Sequence, residues 1–228
     1  MYERGPYAKG RERREAILKT TLEVFSHRGS RGASLRAIAR ELEISPNLLQ
    51  HYFSTREELL VEVVSAWDAE NDRLAEGMNF LSHWLLAIKH NTTIPGLIRL
   101  YTALAVETAD LNHSARSFIA QRYEIITHKV ADDIDRLKRL GLCPPDSDTV
   151  RVTRLLIAAC EGLQLRSLHT SDFDMYDEFL FLLREFHVLP PAEEVTFAVM
   201  RFSEHTKAQS AHTLSSHIST ATADNQQE

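Results

Sequence analysis

Two helix-start signals stand only ten residues apart in this chain, and they leave little freedom for what lies between them. Ser45 precedes Pro46, which pairs an N-cap hydroxyl with a first-turn residue whose missing N–H costs nothing. Thr55 and Glu58 form a T-x-x-E capping box for the next helix. A helix opened at Pro46 and closed before Thr55 is confined to about two turns. Upstream, Ser34 precedes Leu35, Ile38, Ala39 and Leu42 at helical spacing, and Glu43, Ile44 and Ser45 make the turn. On a wheel of about 100° per residue, Leu49 and Phe53 point one way and Asn47, Leu48 and His51 the other. Gln50 and Tyr52 flank the outward set. That face offers amides for adenine edges, an apolar tip for a thymine methyl and a phenol for phosphate. It is suited to a DNA groove.

The charge distribution agrees. The whole chain carries a formal charge of −6, which by itself argues against a nucleic-acid partner. Residues 1–60, however, have a net charge of +3, and the remainder has −9. Arg4, Lys9, Arg11, Arg13 and Arg14 cluster at the N-terminal end. An arm over residues 1–10 could lie along phosphate and add salt-dependent affinity; a solvated terminal charge run is the competing reading.

Residues 11–60 resemble the N-terminal DNA-binding domain of TetR-family transcriptional regulators. The resemblance rests on Phe25, Gly29, Ser34, Ile38-Ala39, Ile44-Ser45, Tyr52-Phe53 and Arg56-Glu57-Glu58-Leu59. It implies contacts to the DNA backbone from Ser34, Tyr52 and Arg56. It implies base or near-base contacts from Arg36, Asn47, Leu48 and Gln50, with His51 beside them. Three positions depart from the pattern. Glu43 stands where the turn normally has glycine, and a side chain there has to accept φ > 0 at a cost of about 1 kcal/mol. Asn47 stands where glycine is common and Gln50 where tyrosine is common. Those two bear on which bases are read rather than on docking.

The rest of the chain reads as helices with almost no strand signal. Arg11–His27 is amphipathic and Gly29 ends it. Thr55 opens a long helix running past Trp67 and Leu74 toward Gly77. Helices follow over Phe80–His90, from Pro95 to near Asp110, and from a Ser114 cap to Gly141, where Pro144-Pro145 prevents continuation. The expected fold is all-α: a three-helix helix-turn-helix domain over residues 11–60, joined by the long helix to a helical bundle over 61–191 for ligand binding and dimerisation. Residues 192–228 read as a polar tail, with a short helical turn at Val195–Phe202 and disorder over 204–228.

The helix from Asp148 to His169 is apolar on most sides, so it can serve its own core with one face and a partner with another. A last helix follows from Asp174 to about His187. Leu155, Ala159, Gly162 and Leu163, with Tyr176, Phe179 and Leu183, form the expected dimer interface. Helix-turn-helix proteins commonly read two half-sites one DNA turn apart, which favours a homodimer over a monomeric helical core. Tyr101–Arg122 and Leu155–Leu168 also resemble a common C-terminal domain of the same family. That resemblance implies a domain that forms a homodimeric four-helix bundle and encloses a small-molecule pocket, whose ligand shifts the population of arrangements of the DNA-reading heads. Trp67, Trp84, Tyr101, Glu107, Phe118, Tyr123 and Gln164 are the candidate lining, with His83 and His113 as further polar groups. For any single aromatic, plain core packing is the competing reading.

Other chemistry finds no support. Cys143 and Cys160 make neither a disulfide framework nor a metal-ligand set, and no carboxylate completes a site with His83 and His90. No metal and no cofactor are expected. Met-Tyr-Glu-Arg-Gly has no apolar core behind it, and no apolar run is long enough to span a membrane, so a cytoplasmic chain is expected. No nucleophile elbow, phosphate loop or H-E-x-x-H motif suggests an enzyme. The expected function is a ligand-responsive repressor, bound as a homodimer to a palindromic double-stranded DNA operator and released by an unknown small-molecule effector. The alternatives are a DNA-binding regulator controlled by a protein partner or by autoregulation, and an all-helical enzyme.

Overall fold

The computed structural model describes residues 6–205 together with 207, and every regular element among them is a helix. In chain order these are α1 (Pro6–Gly32), α2 (Leu35–Glu41), α3 (Pro46–Tyr52), α4 (Arg56–Leu74), α5 (Phe80–Thr92), α6 (Leu97–Glu107), α7 (Arg116–Arg139), α8 (Thr149–Ser167), α9 (Met175–Glu185) and α10 (192–205). No helix among the described residues is long and apolar enough to cross a membrane.

Local chemistry sets most of these ends. Ser34, Ser45 and Thr55 accept from the backbone N–H groups of Ala37, Leu48 and Glu58, which caps α2, α3 and α4. Asp148 and Asp174 do the same for α8 and α9. The turn after α2 closes with Ile44 N–H on the Ala39 carbonyl and Glu43 N–H on the Arg40 carbonyl, a Schellman pair. Glu43 takes φ 54°, so this turn adopts the left-handed geometry without glycine.

Several boundaries differ from the sequence reading. Gly29 takes φ 64° and ψ −174°, outside the helical region, so it breaks the helix as expected, but one more short turn follows to Gly32. Residues 6–10 are already helical and continue into α1, so the expected free arm over 1–10 is at least half helix; residues 1–5 lie outside the described ones. Ser114 does not cap α7: Ala115 holds that position, without a side-chain hydrogen bond. The short helical turn expected at Val195–Phe202, packing back on the domain, is present and longer than expected. Residues 192–205 form α10, because Val195, Ala198 and Phe202 line one face and pack toward the domain. Arg201 Nε donates to the Leu74 carbonyl at 3.2 Å, and Glu194 accepts from both Arg136 Nη atoms. Apart from 204, 205 and 207, the expected disorder over 204–228 lies outside the described residues.

Two large apolar clusters organise the protomer. One gathers Ile17, Leu22, Phe25, Ile38, Leu49, Phe53, Leu59 and Val63 from α1–α4 and continues into Leu97, Leu100 and Leu104 of α6 and Ile119 of α7. Packing therefore does not stop at residue 60. The second holds Leu81, Leu85, Val130, Ile134, Leu156, Phe179 and Leu183 from α5, α7, α8 and α9.

The two halves meet where α6 lies along α1. Gly96 begins α6 with φ 84°, and a Cβ there would sit 2.2 Å from the Leu22 carbonyl oxygen and 2.9 Å from the Ser26 nitrogen. Only glycine allows so close an approach in this conformation.

Candidate nucleic-acid interface and effector cavity

The two-turn helix α3 stands with Leu49 fully buried and Asn47, Leu48, Gln50 and His51 exposed. Phe53, just past its end, is also fully buried, and the Arg14 guanidinium covers its ring at 4.6 Å. Ser34 and Arg36 are exposed on α2 and at its cap, and Tyr52 is half-buried, edge-on to His51. Six of these seven side chains are exposed and Tyr52 is partly so. Arg14 is spoken for: besides Phe53 it binds Glu62, with Nε at 3.1 Å from the carboxylate.

Arg56 is placed differently from the sequence expectation. Its guanidinium donates to the Ala33 carbonyl at 3.1 Å, to Ser30 Oγ at 2.8 Å and to Glu107 Oε2 at 3.0 Å. A half-buried guanidinium with three acceptors has little left to offer a phosphate. Ser30 Oγ in turn donates to the other Glu107 oxygen at 2.7 Å. Burial alone would raise the Glu107 pKa, but the hydrogen bonds from Arg56 and Ser30 outweigh it and hold the carboxyl below its ordinary value. Glu107 was expected in the pocket; it instead ties the end of α6 to the start of α4 and the end of α1.

The cavity lies between α4, α5, α6, α7 and α8 and encloses about 270 Å³. Trp84, Tyr101, Phe118, Tyr123 and Gln164 line it, as does His83. Trp67 borders a smaller void of about 40 Å³ on the other side of Tyr101. His113 is elsewhere, with Nδ1 facing the Ala115 N–H. Sequence reasoning missed the charged groups of the wall. Arg122 grips Asp68 with two bonds, of 2.8 and 2.9 Å, and lies over the Tyr101 ring at 4.8 Å. Burial would lower its pKa, but the Asp68 carboxylate outweighs that and keeps the guanidinium charged. Tyr123 donates to Glu161. Burial first, then the Glu161 carboxylate, push the Tyr123 phenol far above its usual range, so it remains a neutral donor. The same two causes push the Cys160 thiol up to about 12, which leaves it protonated and inert. One signal for Glu161 was available: it is the lone charge inside the largely apolar run Leu155–Leu165.

The expected dimer residues divide in two. Phe179 and Leu183 are fully buried in the protomer's own second cluster, because the inner face of α9 packs on α5 and α8, so they are removed from any outer face. Leu163 and Tyr176 are half-buried, and Lys89 lies over the Tyr176 ring. Leu155 and Gly162 are exposed, Ala159 is half-buried, and nothing lies within 4 Å of a Cβ built on Gly162. Val150, Leu165 and Phe181, none of them expected, add exposed apolar surface on α8 and α9.

A capped two-turn helix on a trihelical domain, carried by an all-helical body, defines a helix-turn-helix DNA-binding regulator of transcription. Residues 17–63 match the model of the bacterial regulatory proteins of the tetR family. The regulator BetI of Agrobacterium fabrum is 26% identical over 165 residues, covering 68% of this chain and 76% of that protein. A TetR-family regulator from a Rhodococcus species superposes with a TM-score of 0.63 at 22% identity, over 77% of this chain and 99% of that one. A regulator from Saccharomonospora viridis, solved with choline, superposes with 0.61 at 20% identity, over 77% and 95%. At such identities the superpositions speak to the shared fold.

Proposed function

We propose that this regulator is a ligand-responsive repressor that binds a palindromic operator as a homodimer and releases it when a small molecule fills the cavity. The observation that carries the reading is the wiring of α4 and α6. Asp68, Asn71 and Asp72 of α4 line the cavity, while the Thr55 cap at the other end of α4 follows α3 directly. Ile98 and Tyr101 of α6 also line it, while Glu107 at the far end of α6 holds Arg56. An occupant that displaces Tyr101 therefore moves the helix that ends on the DNA-reading domain. Such an effector shifts the balance of head positions by its differential affinity for them. The choline-bound Saccharomonospora viridis protein supports a small-molecule site in this fold.

Base contacts are assigned to Asn47, Leu48 and Gln50, with Arg36 and His51 beside them, and phosphate contacts to Ser34 and Tyr52. Homodimerisation is assigned to Leu155, Ala159 and Gly162 together with Val150, Leu165 and Phe181. A second copy would cover this exposed apolar strip, and helix-turn-helix geometry calls for paired heads. The test is fluorescence anisotropy with labelled duplexes from the DNA flanking the gene. An inverted repeat bound by two protomers and released on ligand addition supports the proposal; binding that no cavity ligand alters refutes it.

A further inference from the structure

We propose that the cavity's occupant is an organic ammonium ion whose charged nitrogen is held by Glu161. The inference rests on the small-molecule reading above and adds the chemical class. It follows from the charge balance of the wall. The charged lining residues are Asp68, Asp72, Glu161, Arg122 and Lys129. Asp68 is matched by Arg122 through two hydrogen bonds, and Asp72 faces Lys129 at 3.9 Å near the rim. His83 also faces Asp72, but burial lowers its pKa and keeps it neutral. Glu161 is left as the carboxylate with no cation within ion-pair distance among the described residues; its hydrogen bond comes from the uncharged Tyr123.

A carboxylate can accept about four hydrogen bonds, and one phenol fills only part of that capacity. Half-buried beside apolar surface, the remainder is costly until a cation arrives. An ammonium supplies both the charge and the donors. The rest of the wall suits the same guest. Phe80, Trp84, Tyr101, Phe118 and Tyr123 present aromatic surface, whose faces attract cations. This chain already places its own cations on two of these rings, Arg122 over Tyr101 and Lys129 over Phe80 at 5.5 Å. An anionic guest fits poorly, because Arg122 is committed to Asp68 and Lys129 stands at the half-exposed rim. With about 270 Å³ available, the guest is compact, near the lower end of small-molecule pockets (about 300–1,000 Å³).

Three probes of nearly equal shape test this: 2-phenylethylammonium, 2-phenylethanol and 3-phenylpropionate. Binding to the full chain is followed by Trp84 fluorescence, with Trp67→Phe removing the second tryptophan, and by ligand-observed NMR. The ammonium should bind about tenfold or more tighter than the alcohol, as a charge-assisted hydrogen bond implies, and the propionate should bind weakest. Glu161→Gln keeps an acceptor for Tyr123 and should bring ammonium and alcohol to within about twofold. If the alcohol or propionate binds as tightly as the ammonium, or if Glu161→Gln leaves the preference intact, the ammonium assignment falls while the cavity stands. If none of the three binds at millimolar concentration, the assignment and the small-molecule reading fall together.

Discussion

The joint between Arg56 and Glu107 makes a quantitative claim. Its perturbation is a double-mutant cycle of Arg56→Ala, Glu107→Ala and the pair. Glu107 accepts two hydrogen bonds, from Ser30 at 2.7 Å and from Arg56 at 3.0 Å. A buried charge-assisted bond contributes about 1.5–3 kcal/mol. The side chains of Arg56 and Glu107 are 21% and 34% exposed, so solvent screens the pair and the coupling should be nearer 1 kcal/mol. Glu107→Ala alone should lower the melting temperature by about 2–4 °C for a chain of this size. The coupling should also depend on pH. Burial raises the Glu107 pKa, but its hydrogen bonds lower it more, so the folded value lies below the reference of 4.5. The contribution is therefore present above pH 4.5 and is lost as pH falls through the folded value. Denaturant unfolding at pH 7 and over a series of pH values below 4.5 reads both effects. Additivity of the single changes within about 0.3 kcal/mol at pH 7 would refute the joint as an energetic link.

The interface assignments give further outcomes. Asn47→Ala and Gln50→Ala should relax preference at particular operator positions by about 1–3 kcal/mol per base pair, read by competition with single-base operator variants; equal loss on every sequence would contradict base contact. Gly96→Ala should destabilise the fold by more than about 1 kcal/mol, since it combines φ 84° with a 2.2 Å clash; an unchanged denaturation midpoint would show that α6 does not bear on α1 as described. Gly162→Arg should shift sedimentation toward the protomer mass while leaving helix content intact, and a stable dimer of that variant would move the interface elsewhere.

How far the sequence carried differs from feature to feature, for physical reasons. Most helix starts were legible because an N-cap is a local interaction: Ser34, Ser45 and Thr55 accept the bonds expected of them, and Asp148 and Asp174, where helices were expected to begin, cap theirs, whereas Ser114 does not. The left-handed Glu43 was legible from the family resemblance, in which glycine normally holds that place in the turn. Ends and destinations were not. Arg56 has a side chain long enough to reach either a phosphate or Glu107, and only the fold brings Glu107 within 3.0 Å from fifty-one residues away. Phe179 and Leu183 look like Leu155 in sequence, yet α9 turns them into its own core and leaves Phe181 outside. The cavity wall was half legible: aromatic residues stood out, whereas Asp68 and Arg122 carry no local signal and meet only when packing brings α4 and α7 together, and the signal of Glu161 within its largely apolar run went unread.

The central claim is that cavity and DNA-reading face are one linked system, and linkage has a reciprocal signature. The measurement is operator affinity with and without a saturating cavity ligand, paired with ligand affinity with and without saturating operator. The account predicts that each weakens the other by the same factor, about 5–150-fold. A ligand that binds at Glu161 and leaves operator affinity unchanged would contradict it.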